Sequence, residues 1–325
     1  MKEKPIILLT NHYSNKVLKV VKNELPNGYD FISLDNASKD DLVRKAKYAD
    51  YFLASGRVTI DKEVIHSASK LKMIQRTGVG TDTLDLITLQ ERNIPVYVNT
   101  GINSVSVAEH TILLMLSVLR RVNYVDTRLK SGFWEKNDIG IECHSINNKI
   151  IGLIGIGNIG KNVVKMLQPF GVTIFYNDLL QLDKSEEQFL NVQYCEMKDL
   201  LKHVDILTLH CPLTPYTRGI IGEKEIAMMK QGSFIINSGR GQLIDEKALI
   251  AALQSGHIRG AGLDVFAQEP VNKDNPLLCF DNVVLTPHIG GLTIETFSKM
   301  MSDAFDNIQL FENKQYEFIE NKRLK

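Results

Sequence analysis

Apolar, β-branched runs recur at Pro5–Thr10, Ala49–Ser55, Lys72–Arg76 and Ile94–Val98, divided by polar stretches with helical spacing such as Lys39–Tyr48 and Leu84–Arg92. Short apolar runs between turn signals predict strands, and the longer polar stretches predict helices. A parallel strand pair needs a long crossover, so this alternation predicts βαβ units over the first ~100 residues. A second series follows. Its strands are Lys149–Ile154, Thr173–Asn177, Asp205–His210, Ser233–Asn237, Gly260–Val265 and Asn282–Thr286, with helices over Lys161–Gln168, Glu223–Lys230 and Asp245–Gln254. Six strands with helices between them meet the requirement of a doubly wound α/β sheet.

Two segments break the alternation. From Ser104 to Arg121 the pattern is helical, and Thr111–Leu119 is almost wholly apolar. A membrane span needs ~20 apolar residues, and here Glu109 and His110 stand at one end with Arg120 and Arg121 at the other. The segment reads as a buried helix whose breadth of apolar faces suits packing against a domain and a second subunit. Near the end, Ile294, Phe297, Met301, Ala304, Ile308 and Phe311 recur at steps of three and four. They predict one amphipathic helix that returns to the first domain.

Composition narrows the function. The 325 residues favour two domains, and 44% hydrophobic with 23% charged residues excludes a disordered chain. Lys+Arg and Asp+Glu are 38 each, which disfavours a nucleic-acid binder acting through a broad basic surface. Cys143, Cys195, Cys211 and Cys279 form no CxxC pair. They predict reduced thiols in a cytoplasmic protein, with no disulfide or metal site. The apolar stretch after Met1 is too short for a signal peptide.

Residues 155–160 read GIGNIG, directly after an apolar strand and before a helix-forming stretch. Gly155 permits the tight turn, Gly157 removes a side chain where a pyrophosphate approaches, and Gly160 lets helix and strand pack closely. Asn158 and Ile159 lie in this loop, and the helix that follows presents free N–H groups and a positive dipole end that suit phosphate. The next strand ends at Asp178, 18 residues after Gly160, where a carboxylate accepts from ribose hydroxyls. Asp178 also repels a 2′-phosphate, and Leu179 and Leu180 supply no arginine to hold one. NAD is therefore the expected cofactor.

Three later strands end in polar groups: Asn237 to Gly241, Asp264 to Pro270, and Thr286 to Gly291. Ligands bind outside the carboxyl ends of such strands. Among these groups Arg240 is a cation whose planar fork can hold a carboxylate. His288 offers an imidazole for proton exchange. Glu269 is a carboxylate able to orient an imidazole. His110, on the apolar helix, reads as a satisfied, partly buried histidine.

With these motifs in order the chain resembles the D-isomer-specific 2-hydroxyacid dehydrogenases, in the branch of phosphoglycerate dehydrogenases and glyoxylate/hydroxypyruvate reductases. The likeness runs through GVGTD (78–82), VAEH (107–110), the glycine loop, HCPLT (210–214) with Thr217, SGRG (238–241), GLDVF (262–266) with Glu269 and Pro270, and TPHIGG (286–291). It implies a Rossmann-type NAD-binding domain over 101–291 and a flavodoxin-like substrate domain built from 1–100 and 292–325, with the active site between them. It implies hydride exchange between NAD(H) and C2 of a 2-hydroxy or 2-keto acid, with Arg240 holding the substrate carboxylate and polarising the carbonyl, His288 exchanging the hydroxyl proton and Glu269 orienting the imidazole. It adds His210, Cys211, Pro212, Thr217, Ser238, Gly239, Arg240, Asp264, His288 and Gly290 to the cofactor contacts, and Ser55, Gly56, Val79 and Gly80 to the substrate contacts, where Arg240 and His288 also act. Cys211 is expected to contribute backbone and not thiol chemistry, and Trp134 to pack near the interdomain cleft.

Phosphoglycerate enzymes of this family carry an arginine near the position of Ala54; here the nearest is Arg57. With 37 residues after His288, no appended regulatory domain is expected. The expected partner is a small 2-hydroxy or 2-keto acid such as 3-phosphoglycerate, glyoxylate or hydroxypyruvate, and the expected assembly a homodimer. The alternative is an NAD(H)-sensing binding protein resembling the C-terminal-binding corepressors, which share the fold and the triad.

Overall fold

The computed structural model describes residues 4–56 and 58–324. The chain divides into two compact units, one holding the residues up to Asn103 together with those from Leu292 onward, the other Ser104–Gly291.

The first unit begins β1 (Ile6–Leu9), α1 (Asn15–Glu24), β2 (Asp30–Ser33), α2 (Lys39–Ala46), β3 (Tyr51–Ala54), α3 (Lys62–Ser67), β4 (Met73–Arg76), α4 (Leu86–Glu91), β5 (Val96–Tyr97). All pairings are parallel, in the order β2-β1-β3-β4-β5, the flavodoxin-like arrangement. Tyr51, Phe52, Leu53 and Ala54 are all buried, as a strand covered on both faces requires. Ser38, Asp61 and Asp85 cap α2, α3 and α4 by accepting from backbone N–H groups.

The second unit opens with three helices, α5 (Ser104–Leu119), α6 (Val122–Lys130) and α7 (Lys136–Gly140). Then follow β6 (Ile150–Ile154), α8 (Asn158–Leu167), β7 (Thr173–Asn177), α9 (Lys184–Leu190), β8 (Gln193–Tyr194), α10 (Met197–His203), β9 (Ile206–Leu209), α11 (Glu223–Met228), β10 (Ser233–Asn237), α12 (Glu246–Gln254), β11 (Ile258–Leu263) and β12 (Val283–Leu285). The parallel sheet runs β12-β11-β10-β9-β6-β7-β8. That is the Rossmann order, with one more strand than the sequence predicts because the two-residue β8 pairs with β7. The order reverses between β6 and β9, so the crevice for a ligand lies beyond their carboxyl ends.

Helix α5 lies on this sheet. A Cβ at Gly260 would meet Val118 Cγ2 at 2.8 Å and one at Gly262 would meet Leu114 Cβ at 2.9 Å, so the two glycines of β11 let the helix approach. Leu114 and Met115 are fully buried, whereas Val105 and Leu113 are exposed.

The last helix, α13 (Ile294–Glu312), belongs to the first unit. Met301, Ala304, Phe305 and Ile308 pack among Ile7, Leu9, Tyr51, Met73 and Tyr97. Ile294, expected on the buried stripe, is 62% exposed because it begins the helix, ahead of the turns that reach the sheet.

Candidate active site

The glycine turn leaves β6 at Gly155, where φ is +97°. A Cβ there would stand 2.5 Å from Cys211 N and 2.6 Å from the His210 carbonyl carbon, so both backbone and space demand glycine. At Gly160 the missing Cβ would sit 2.5 Å from Gly155 O. Gly157 differs, because nothing lies within 4 Å of a Cβ built on it. That open space adjoins the start of α8, whose N-cap is Gly157 and whose first N–H groups receive no side-chain cap. Asn158 and Ile159 are the first helical residues. The cradle fits a pyrophosphate.

Asp178, just past β7, is fastened to this turn: Oδ2 accepts from Ile156 N at 2.7 Å and Oδ1 from Leu180 N at 3.2 Å. Leu179 and Leu180 are 98% and 81% exposed and place no cation beside it.

The loop after β9 forms the facing wall. His210 Nε2 bonds Thr208 Oγ1 at 2.9 Å, and its Nδ1 is buried without a partner among the described residues. Burial pushes this imidazole down to about 3, so it is neutral. Burial pushes the Cys211 thiol up to about 11, which leaves no thiolate to react. Thr217 Oγ1 donates to Pro212 O and accepts from Thr214 N, both at 2.7 Å, closing the loop on itself.

The three catalytic candidates stand on loops beyond β10, β11 and β12. After β10, Asn237 brackets the turn: Nδ2 donates to Arg240 O at 2.8 Å and Oδ1 accepts from Gly239 N at 3.0 Å. Arg240 Nη1 donates to Gly239 O at 2.9 Å. A Cβ at Gly241 would fall 1.9 Å from the Phe266 carbonyl, so the Arg240 loop lies directly against the loop carrying Glu269.

Glu269 Oε2 is 2.7 Å from His288 Nδ1, while Oε1 accepts from Phe266 N at 3.1 Å. The carboxylate is thus fixed at one oxygen and orients the imidazole with the other. His288 has φ +55°, a left-handed conformation uncommon for a residue with a Cβ. The turn is held by Asp264, 1% exposed. Asp264 O accepts from His288 N at 2.8 Å, Oδ1 from Ile289 N at 2.9 Å and Thr286 Oγ1 at 2.6 Å, and Oδ2 from Gly290 N at 2.8 Å. Burial raises the Asp264 carboxyl, but hydrogen bonds from His110, Thr286, Ile289 and Gly290 outweigh it and hold the group below its usual range. It is a buried anion tied to the histidine turn.

In the first unit, Ser55 is buried, Gly56 and Val79 are exposed and Gly80 is half-buried. What gathers them is Arg76, which sequence reasoning passed over. Its guanidinium is 1% exposed; Nη1 donates to Ser55 O at 2.7 Å and Thr83 Oγ1 at 3.2 Å, and Nη2 to Gly80 O. A cation closing a β-branched run immediately before a glycine turn was the available signal. Arg57 lies outside the described residues. Trp134 is 80% exposed on its own unit. Among the described residues no group of three or more His, Cys, Asp or Glu is placed to hold a metal ion.

Comparison with known proteins agrees with this geometry. Residues 112–290 match the NAD-binding domain model of the D-isomer specific 2-hydroxyacid dehydrogenases. The chain is 43% identical over 260 residues to a D-3-phosphoglycerate dehydrogenase of Methanocaldococcus jannaschii, covering 79% of this chain and 49% of that protein. It is 37% identical over 273 residues to a glyoxylate reductase of Thermofilum pendens, covering 83% and 80%. It therefore spans about half of the first relative and most of the second. An NAD-dependent formate dehydrogenase of Staphylococcus aureus, solved with NAD, superposes with a TM-score of 0.83 at 29% identity, covering 96% of each chain. An NAD cradle, a carboxylate-bound histidine beyond the next strands and these likenesses together show that the chain belongs to the D-isomer specific 2-hydroxyacid dehydrogenase family.

Proposed function

We propose that the protein is an NAD-dependent D-2-hydroxyacid dehydrogenase acting on a small acid of the glyoxylate, hydroxypyruvate or 3-phosphoglycerate type. The observation that carries this reading is the 2.7 Å Glu269–His288 pair set at the carboxyl edge of a sheet with an open glycine cradle. The glycine turn (Gly155, Gly157, Gly160) and Asp178 would hold NAD(H), which when bound would supply the hydride donor or acceptor for C2 of the substrate. Arg240 holds the substrate carboxylate and draws electron density toward the carbonyl oxygen. In reduction His288 passes a proton to that oxygen as the alkoxide forms, and in oxidation it takes the proton back. Glu269 fixes Nδ1 and balances the imidazolium, leaving Nε2 as the exchanging nitrogen. Asp178 selects the unphosphorylated ribose. Ser55, Gly56, Val79 and Gly80 select the acid through backbone N–H groups and shape, which Arg76 sets.

The exposed Leu129, Phe133, Trp134 and Ile141 around α6 and α7 support a homodimer, and the four free thiols support a reducing, cytoplasmic setting. No helix among the described residues is long and apolar enough to cross a membrane.

NADH oxidation with glyoxylate, hydroxypyruvate, 3-phosphohydroxypyruvate and pyruvate tests the reading. Turnover is expected with at least one, and His288→Ala should lower it by roughly 10³-fold or more with NADH affinity nearly unchanged. Tight NADH binding without turnover on any acid sinks the enzyme reading and favours the NAD(H)-sensing one.

A further inference from the structure

Two adjacent residues of α5, His110 and Thr111, each bond a different catalytic loop. Resting on the dehydrogenase reading above, we propose that they are positioning residues with separable roles: His110 sets the His288 turn and Thr111 sets the Arg240 loop.

The polarity of the bonds follows from counting protons. Asp264 is an anion and only accepts. Thr286 has one hydroxyl proton, and it goes to Asp264 Oδ1 at 2.6 Å. Thr286 Oγ1 must then accept from His110 Nε2 at 2.9 Å, which fixes the His110 tautomer with its proton on Nε2. The same nitrogen stands 3.4 Å from Asp264 Oδ1. An ordered chain runs from His110 through Thr286 to the carboxylate that grips Ile289 N and Gly290 N. Sterics agree: a Cβ at Gly290 would lie 3.3 Å from His110 Cδ2 and 2.9 Å from Asp264 Oδ2, so the turn rests directly on this ring.

At Thr111 the hydroxyl donates to Val107 O at 2.8 Å, spending its only proton. Ser238 Oγ, 2.7 Å away, must therefore donate to Thr111 Oγ1. Both hydroxyls are buried. Ser238 stands two residues before Arg240 and is otherwise bounded by the Asn237 turn. The α5 backbone thus fixes the substrate-holding arginine and the proton-transfer histidine independently, on a helix locked to the sheet.

A misplacement near 1 Å can cost about 100-fold in rate. His110→Leu, which keeps bulk and removes the donor, should lower kcat by roughly 10- to 100-fold and shift the pH profile of kcat, while the keto-acid KM changes by less than about threefold. His110→Gln, which retains an N–H, should recover most of the loss. Thr111→Val should raise the keto-acid KM by roughly 5- to 20-fold with kcat within about threefold, and Thr111→Ser should restore it. NADH affinity and thermal midpoint are measured on all four, to separate unfolded from mispositioned protein. Equal changes in kcat and KM at both positions, no change in folded variants, or failure of the conservative variants to rescue would overturn the assignment. Wild-type protein that turns over none of the acids overturns the dehydrogenase reading and this one with it. Turnover by wild type with indifferent variants overturns this one alone.

Discussion

Arg76 shows how much one residue can decide. Burying a guanidinium is costly unless its donors find acceptors, and here carbonyls from two separate loops and a threonine hydroxyl accept from Nη1 and Nη2. Replacing it by Met should release both loops and raise the keto-acid KM by about tenfold in a folded protein, with NADH affinity within about twofold because the glycine cradle belongs to the other unit. Lysine keeps the charge but lacks the planar fork, so Arg76→Lys should fall between. Steady-state kinetics with the best acid decide it, and an unchanged KM refutes the role. Glycine loop and triad were legible in the sequence because their chemistry constrains residue type and spacing together. Arg76, Asn237 and the His110–Thr286–Asp264 chain were not, since each acts through a partner more than 20 residues away or through a backbone carbonyl, and neither kind of contact leaves a local signature.

At the scale of elements, the long buried runs were the readable ones. Strands β1, β3, β4, β6, β9 and β10 each carry consecutive buried apolar residues. Strand β2 has no fully buried residue and β8 has two residues, so neither gives a hydrophobic pattern to find. Helices α6 and α7 also lack buried residues, yet Leu129, Phe133, Trp134 and Ile141 in and around them are 55%, 48%, 80% and 86% exposed. A helical segment that buries nothing at home and displays an indole and three other large apolar groups fits a partner's surface. The mass in solution, by light scattering, should be twice the 36.6 kDa of one chain. Trp134→Glu with Ile141→Glu should move it to the single-chain value; a monomeric wild type refutes the dimer.

For the whole molecule, pH acts through half-buried imidazoles. His210 sits at about 3 in the folded protein against an ordinary 6.5, so below 6.5 the unfolded chain binds a proton that the folded one refuses. Stability conferred by this site is fully present above 6.5 and falls as pH drops toward 3, by up to about 1.4 kcal/mol per pH unit. His144 adds the same sign, lowered by burial and by Arg259 and Lys149 nearby. Urea unfolding at pH 7, 6 and 5 should show the decline, and His210→Asn should flatten it by about one proton; an identical slope refutes the assignment.

The placement of α13 bears on synthesis. Its Met301, Ala304, Phe305 and Ile308 pack into a core that also holds Ile7, Leu9, Tyr51 and Met73, which leave the ribosome more than 200 residues earlier. The inserted unit, 104–291, has every strand it needs before α13 is translated. The nascent chain thus finishes its middle first, while the opening sheet waits with one greasy face covered only by α1, a natural client for a chaperone until the last helix arrives.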